Sequence, residues 1–218
     1  MAPEEASVTK TPPRTTLLIL GAVLAMSAAI AAWFQYAHQQ KMKAETRQSM
    51  RPLALPSANT PVTMIRIKGP KGLIELKCAS VADKTCTMSS LGAWTVGTDP
   101  ADARIVNHFL KEAYDEVGVV VDLSTETPEK KKAQWQEYGL ADPVSAPFIE
   151  LTLLDEKGVS SQLTEWFGGA DITGAATFVG VGVDGKLTED KAFLVYNRFK
   201  DAAFSVTADQ FRVQSPKK

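Results

Sequence analysis

Two cysteines, Cys78 and Cys86, and two histidines, His38 and His108, are the residues of this 218-residue chain best suited to thiol chemistry, metal binding or proton transfer. A disulfide between the cysteines would close a short loop and stabilise the fold by about 2.5 kcal/mol on the chain-entropy model. Such bonds persist outside the cytosol. Two free, half-buried thiols are the alternative. No C-x-x-C is present and no histidine lies near the pair, so no metal site is expected. His38 follows an apolar stretch, and His108 sits between Asn107 and Phe109 on a predicted helix. Neither falls into a Ser/Cys–His–Asp set.

The remaining candidates are weaker. Asp115, Glu116 and Asp122 are carboxylates that could bind a cation, but they lack the alternating acidic loop that calcium sites use. They are expected as solvated ends of a helix and a strand. Gly168, Gly169, Gly174, Gly180 and Gly182 do not form a phosphate loop, since no G-x-x-x-x-G-K-[ST] is present. Turns and sheet packing are their expected role. Lys130, Lys131 and Lys132 form a basic run that either faces solvent or touches acidic lipid or a partner, at about 1 kcal/mol per charge near a membrane surface. Net charge is −1, which does not point to nucleic acid. The expectation is no catalytic residue, no cofactor, no metal and no enzyme.

The element that positions everything else is Leu17 to Phe34, which carries no charge and has Ser27 as its only hydroxyl side chain. With Thr15, Thr16, Gln35 and Tyr36 it reaches about 20 residues, roughly the thickness of a bilayer core as a helix. A cleaved signal peptide would use Ala29-Ile30-Ala31. The run continues into Trp33, Phe34 and Tyr36, which suits an interfacial belt and favours an uncleaved signal anchor over 17–36. Gly21, Ala25, Ala29 and Ala32, with Ala28, place small residues on one face, where another helix could approach closely. Residues 1–16 read as a disordered tail. Residues 37–61 read as a linker, Pro-rich at Pro52, Pro56 and Pro61. Lys10 and Arg14 precede the span, and Lys41, Lys43, Arg47 and Arg51 follow it. Counting Lys and Arg alone puts the domain in the cytosol, whereas the cysteine pair puts it outside. The two signals are close to balanced.

Beyond residue 61 the pattern predicts an α+β domain over 62–213, followed by a short tail at 214–218. Val62 to Lys68 alternates, Gly69-Pro70-Lys71-Gly72 is a turn, and Leu73 to Lys77 is its partner strand. Trp94 to Val96 is a third strand. Asp99 is expected to cap a helix with Pro100 in its first position. That helix carries Ile105, Val106, Phe109, Leu110, Ala113 and Val117, and Gly118 stops it. Val119 to Leu123 is a strand, and Pro128 to Tyr138 a short basic helix ended by Gly139. Phe148 to Leu154 and Ser160 to Phe167 form a hairpin around Asp155 to Gly158. Thr177 to Val183 and Ala192 to Tyr196 are joined through Asp184-Gly185, and 201–211 reads as a short helix or strand. Antiparallel hairpins interrupted by one main helix make the expected class α+β.

The order of these features carries a resemblance. Trp94-Thr95-Val96, Asp99 to Asp102, Phe109-Leu110, Tyr138-Gly139-Leu140-Ala141-Asp142-Pro143, Trp166-Phe167-Gly168-Gly169 and the closing strand Ala192 to Tyr196 follow one another. The arrangement resembles a bacterial single-span family of unknown function, often encoded beside components of gliding-motility-type ABC transporters. The resemblance implies a cell-envelope domain outside the inner membrane, and it decides the orientation: single-pass, domain in the periplasm. It supplies no catalytic residues. The expected function is a membrane-anchored accessory or structural subunit of an envelope complex, touching membrane lipid and an integral membrane complex such as an ABC transporter permease. The alternative is an envelope ligand-binding or sensing domain, with Trp166, Phe167 and Tyr196 lining a pocket.

Overall fold

Pro70 and Lys71 form a two-residue turn that joins β1 (Val62–Gly69) to β2 (Gly72–Cys78), with Gly69 opposite Gly72. Gly72 sits at φ 111°, a conformation that suits glycine. The same logic recurs at Gly97-Thr98, between β3 (Trp94–Val96) and β4 (Asp99–Ala101), and at Asp184-Gly185, between β8 (Ala176–Val183) and β9 (Lys186–Tyr196). β6 (Phe148–Leu154) and β7 (Ser160–Ala170) form a longer-looped hairpin, and β5 (Gly118–Asp122) pairs with β9. The computed structural model describes residues 50–52, 57–79 and 86–213, together with Trp33, Gln35 and Tyr36.

The nine strands among the described residues belong to one antiparallel sheet, in the order β4-β3-β2-β1-β6-β7-β8-β9-β5. Among the described residues from 57 on, four helices accompany it: α1 (Ala103–Asp115), α2 (Pro128–Glu137), α3 (Asn197–Ser205) and α4 (Ala208–Phe211). This corrects the expected α+β domain of separate hairpins around one main helix. The described chain is mostly one continuous sheet with few helices, and no described helix is long and apolar enough to cross a membrane. The expected span over 17–36, with its small-residue face Gly21, Ala25, Ala29 and Ala32, lies outside the described residues except for Trp33, Gln35 and Tyr36. Those three are helical and exposed. The tails 1–16 and 214–218 also lie outside.

Two misassigned stretches explain much of the difference. Asp99-Pro100-Ala101 does not begin the helix; it is the edge strand β4, where a proline without an N–H is tolerated. The cap is Asp102, whose carboxylate accepts from the Arg104 N–H at 2.9 Å. Likewise Lys186 to Lys191, polar enough to read as a loop, is the first half of β9, held in register by the turn at Asp184-Gly185.

Contacts divide the chain into two compact units, 1–46 and 47–218. Within the second, the incoming segment is already part of the module. The Gly118 N–H donates to the Met50 carbonyl at 2.8 Å, and the Leu154 N–H to the Pro61 carbonyl at 3.0 Å. Each sheet face has its own core. On the first, Ile65, Ile67, Leu76, Ile149, Leu151, Phe193 and Val195 pack against α1, α3 and α4. α1 presents Val106, Phe109, Leu110 and Ala113, a one-sided helical stripe. Phe109 meets Phe199 at 5.8 Å and Phe211 at 6.2 Å between ring centroids. On the second face, Leu123, Trp135, Tyr138, Leu140, Trp166 and Ala192 form a smaller core under α2. Helix α1 connects β4 to β5, the two opposite edges of the sheet. Its 13 residues extend about 20 Å across the first face.

Candidate functional site

Alternation along β7 sends Trp166 to the second core and Phe167 to the first. Glu165, two residues before Phe167, therefore points into the first core, between Ile149 of β6 and Val181 of β8. It is 0 % exposed. Glu116, the C-cap residue just after α1, arrives from above. Its N–H caps the helix on the Glu112 carbonyl at 3.0 Å, and its side chain turns inward. All four carboxyl oxygens of the pair are shut off from solvent, and none finds an N–H or O–H donor elsewhere among the described residues. The two carboxyls face each other closely enough to interact directly. A hydrogen bond between them requires a proton, because two carboxylates have only acceptors to offer.

Burial determines which group keeps it. Desolvation pushes Glu165 well above the ordinary carboxylate range, and the nearby Glu116 charge and hydrogen bond push it further. Desolvation also raises Glu116, to about 7, against a smaller lowering by the hydrogen bond from Glu165. Burial thus favours the protonated form of both acids, most strongly in the fully enclosed Glu165. Glu150, the other buried acid, has partners instead. It accepts from Arg66 at 3.1 Å and from the Thr164 hydroxyl at 3.4 Å, and Arg66 also faces Glu75 at 3.4 Å. These residues form a cross-strand row on the second face of the sheet.

Above Glu116 an open groove of about 740 Å³ runs between the C-terminal half of α1 and the start of α3. Its lining includes His108, Lys111, Glu112, Tyr196 and Arg198. His108 Nε2 lies 3.5 Å from Glu112 Oε1. At the same corner the incoming segment docks. The Arg51 guanidinium stacks 4.0 Å above the Tyr114 ring and lies 3.7 Å from Asp115.

The residues expected from sequence are dispersed. Asp115 and Asp122 face outward as expected, and Asp122 accepts from the Ser124 N–H at 2.9 Å. Glu116 does not; the expected solvated helix end is a buried acid. Among the described residues no three His, Cys, Asp or Glu side chains are grouped as a metal site would need. Trp166 and Phe167 lie in opposite cores, so only Tyr196, 76 % exposed, reaches the groove. Lys130 faces Glu126 at 3.4 Å, and Lys131 pairs with Asp190. His38 lies outside the described residues. One signal for Glu165 was available: it stands between Leu163 and Phe167, with which it shares a strand face.

Cys78 and Cys86 are joined by a disulfide, with Cα atoms 6.1 Å apart. Cys78 closes β2 opposite Trp94, and the Cys86 carbonyl accepts from the Val62 N–H at 2.8 Å. Gly92 packs so tightly on it that an added Cβ would lie 2.4 Å from Cys86 Sγ. Reduction should lower stability by about 2.5 kcal/mol, read as an earlier thermal transition with dithiothreitol than without. Superimposable curves would mean that the purified chain carries free thiols. No protein-family model, curated protein or solved structure matches the chain.

Proposed function

We propose that this chain is an accessory subunit of a bacterial cell-envelope membrane complex. It is tethered by its N-terminal apolar stretch and acts by protein–protein contact rather than by turnover. The observation that carries the reading is the uncharged run Leu17–Phe34, joined through a short polar segment to a folded module. The disulfide supports a periplasmic position for that module. The resemblance to the single-span family supports an integral membrane partner of the ABC-transporter permease class in the inner membrane.

The test is to solubilise the full chain from its native membrane in mild detergent and purify it by a C-terminal tag. A stoichiometric integral membrane protein is expected to accompany it. A monodisperse monomer without companions would overturn the proposal. The α1–α3 groove, with Tyr196 at its rim, favours a second reading as a ligand-binding or sensing domain. Thermal shift against glycans, lipids and peptides discriminates the two, since only the second reading expects stabilisation by a small molecule.

A further inference from the structure

We infer that the Glu116–Glu165 pair is a proton-binding site that couples the protonation state of the module to the grip of α1 on the incoming segment 50–52. This inference does not depend on the partner proposed above. It stands first on geometry. One carboxyl belongs to the middle of the sheet, the other to the C-cap residue just after the helix that crosses it, and neither has a donor among the described residues. A carboxylate at a helix C-terminus also opposes the helix dipole, so Glu116 gains nothing from its own helix when ionised.

The charged groups around the pair do not replace the proton. From the incoming segment, Arg51 is directed at Tyr114 and Asp115. From α1, His108 and Glu112 face each other, and Lys111 lines the groove; from α3, Arg198 lines its other side. From β6 and β8, Glu165 meets Ile149 and Val181, which are apolar. Loss of a proton from the pair leaves two like charges facing each other, shut off from solvent. The group free to move is Glu116, since Glu165 is held within a paired strand. Immediately around Glu116 lie the contacts that dock the incoming segment: Tyr114 and Asp115 with Arg51, and the Gly118 N–H on the Met50 carbonyl.

The sign of the linkage follows. Both folded-state values are raised, so between the ordinary carboxylate range and the raised values the folded chain holds more protons than the unfolded one. Stability therefore falls as pH rises through that window.

The test uses the full chain in detergent. Between about pH 6 and about pH 8 its unfolding equilibrium constant should rise about tenfold or more. Hydrogen-exchange protection at Glu116 and Gly118, corrected for intrinsic rate, should fall over the same window. Glu165→Gln should remove most of this pH dependence, and the double variant Glu116→Gln/Glu165→Gln all of it. A His108→Gln control separates the pair from the imidazole–Glu112 contact and should keep the wild-type slope. A wild-type chain with no slope, or a Glu165→Gln variant that retains the full slope, would overturn the proposal. If the double variant does not fold, the Glu165→Gln comparison and the wild-type exchange profile still decide it.

Discussion

Trp135→Ala should destabilise the chain by about 3–5 kcal/mol and release α2 from the sheet. Trp135 is the one buried residue of that helix, 6 % exposed, and the remainder is Pro, Glu, Lys, Gln and Ala. A ten-residue helix of that composition is marginal alone, so packing must hold it. Thr127 caps its start through the Lys130 N–H, a contribution of about 1 kcal/mol that cannot replace the tryptophan. The indole meets the Tyr138 ring edge-on at 6.2 Å, and Tyr138 in turn stacks on Phe178 at 4.1 Å. Removing Trp135 therefore opens the second core at its centre. Denaturant unfolding measures the loss, and far-ultraviolet circular dichroism should report reduced helix content. A loss below about 1 kcal/mol would show that α2 is held by something else.

Gly168→Ala is the second large effect, at about 3 kcal/mol. A Cβ at Gly168 would lie 2.1 Å from the Tyr138 carbonyl oxygen and 2.8 Å from Leu140 Cγ. That oxygen cannot retreat without cost, because it accepts from the Gly169 N–H at 2.7 Å. The contact falls where the β7–β8 register shifts between Phe167 and Ala170, so the strand bulges toward the end of α2. Gly139, at φ 70°, turns the chain sharply there, and Leu140 closes the corner by donating to the Trp135 carbonyl at 2.9 Å. Gly169→Ala is the internal control. Its added Cβ would have its nearest neighbour at 3.6 Å, an ordinary contact, so the change should stay within about 1 kcal/mol. Equal losses for the two variants would refute the close-approach argument.

These two predictions explain motifs that were visible in the sequence without their relationship. Tyr138-Gly139-Leu140 and Trp166-Phe167-Gly168-Gly169 stand apart in the chain, yet they meet backbone to backbone. Gly139 and Leu140 were readable as a stop and a corner, because a glycine after a helix is a local signal. That the corner is seated on a glycine bulge of another strand is a non-local fact.

What the sequence determined by itself is what short-range rules govern. The β1–β2 and β6–β7 hairpins, the apolar stripe of α1, the basic helix α2 and the turns at Pro70-Lys71 and Asp184-Gly185 follow from alternation, helical spacing and turn chemistry. The charge-free run Leu17–Phe34 is equally a property of adjacent residues. Only the tertiary structure decided that nine strands form one sheet, that Asp99-Pro100-Ala101 is its edge, and that the polar start of β9 pairs. Edge and surface strands need little hydrophobic patterning, so propensity is silent where hydrogen bonding to a neighbour decides. The carboxyl pair is the clearest case. Glu116 reads as an ordinary surface acid and Glu165 as a lone acid on an apolar strand face, and only α1 crossing the sheet makes them a pair. Burial, which no local window reports, then turns both into proton acceptors of unusual strength.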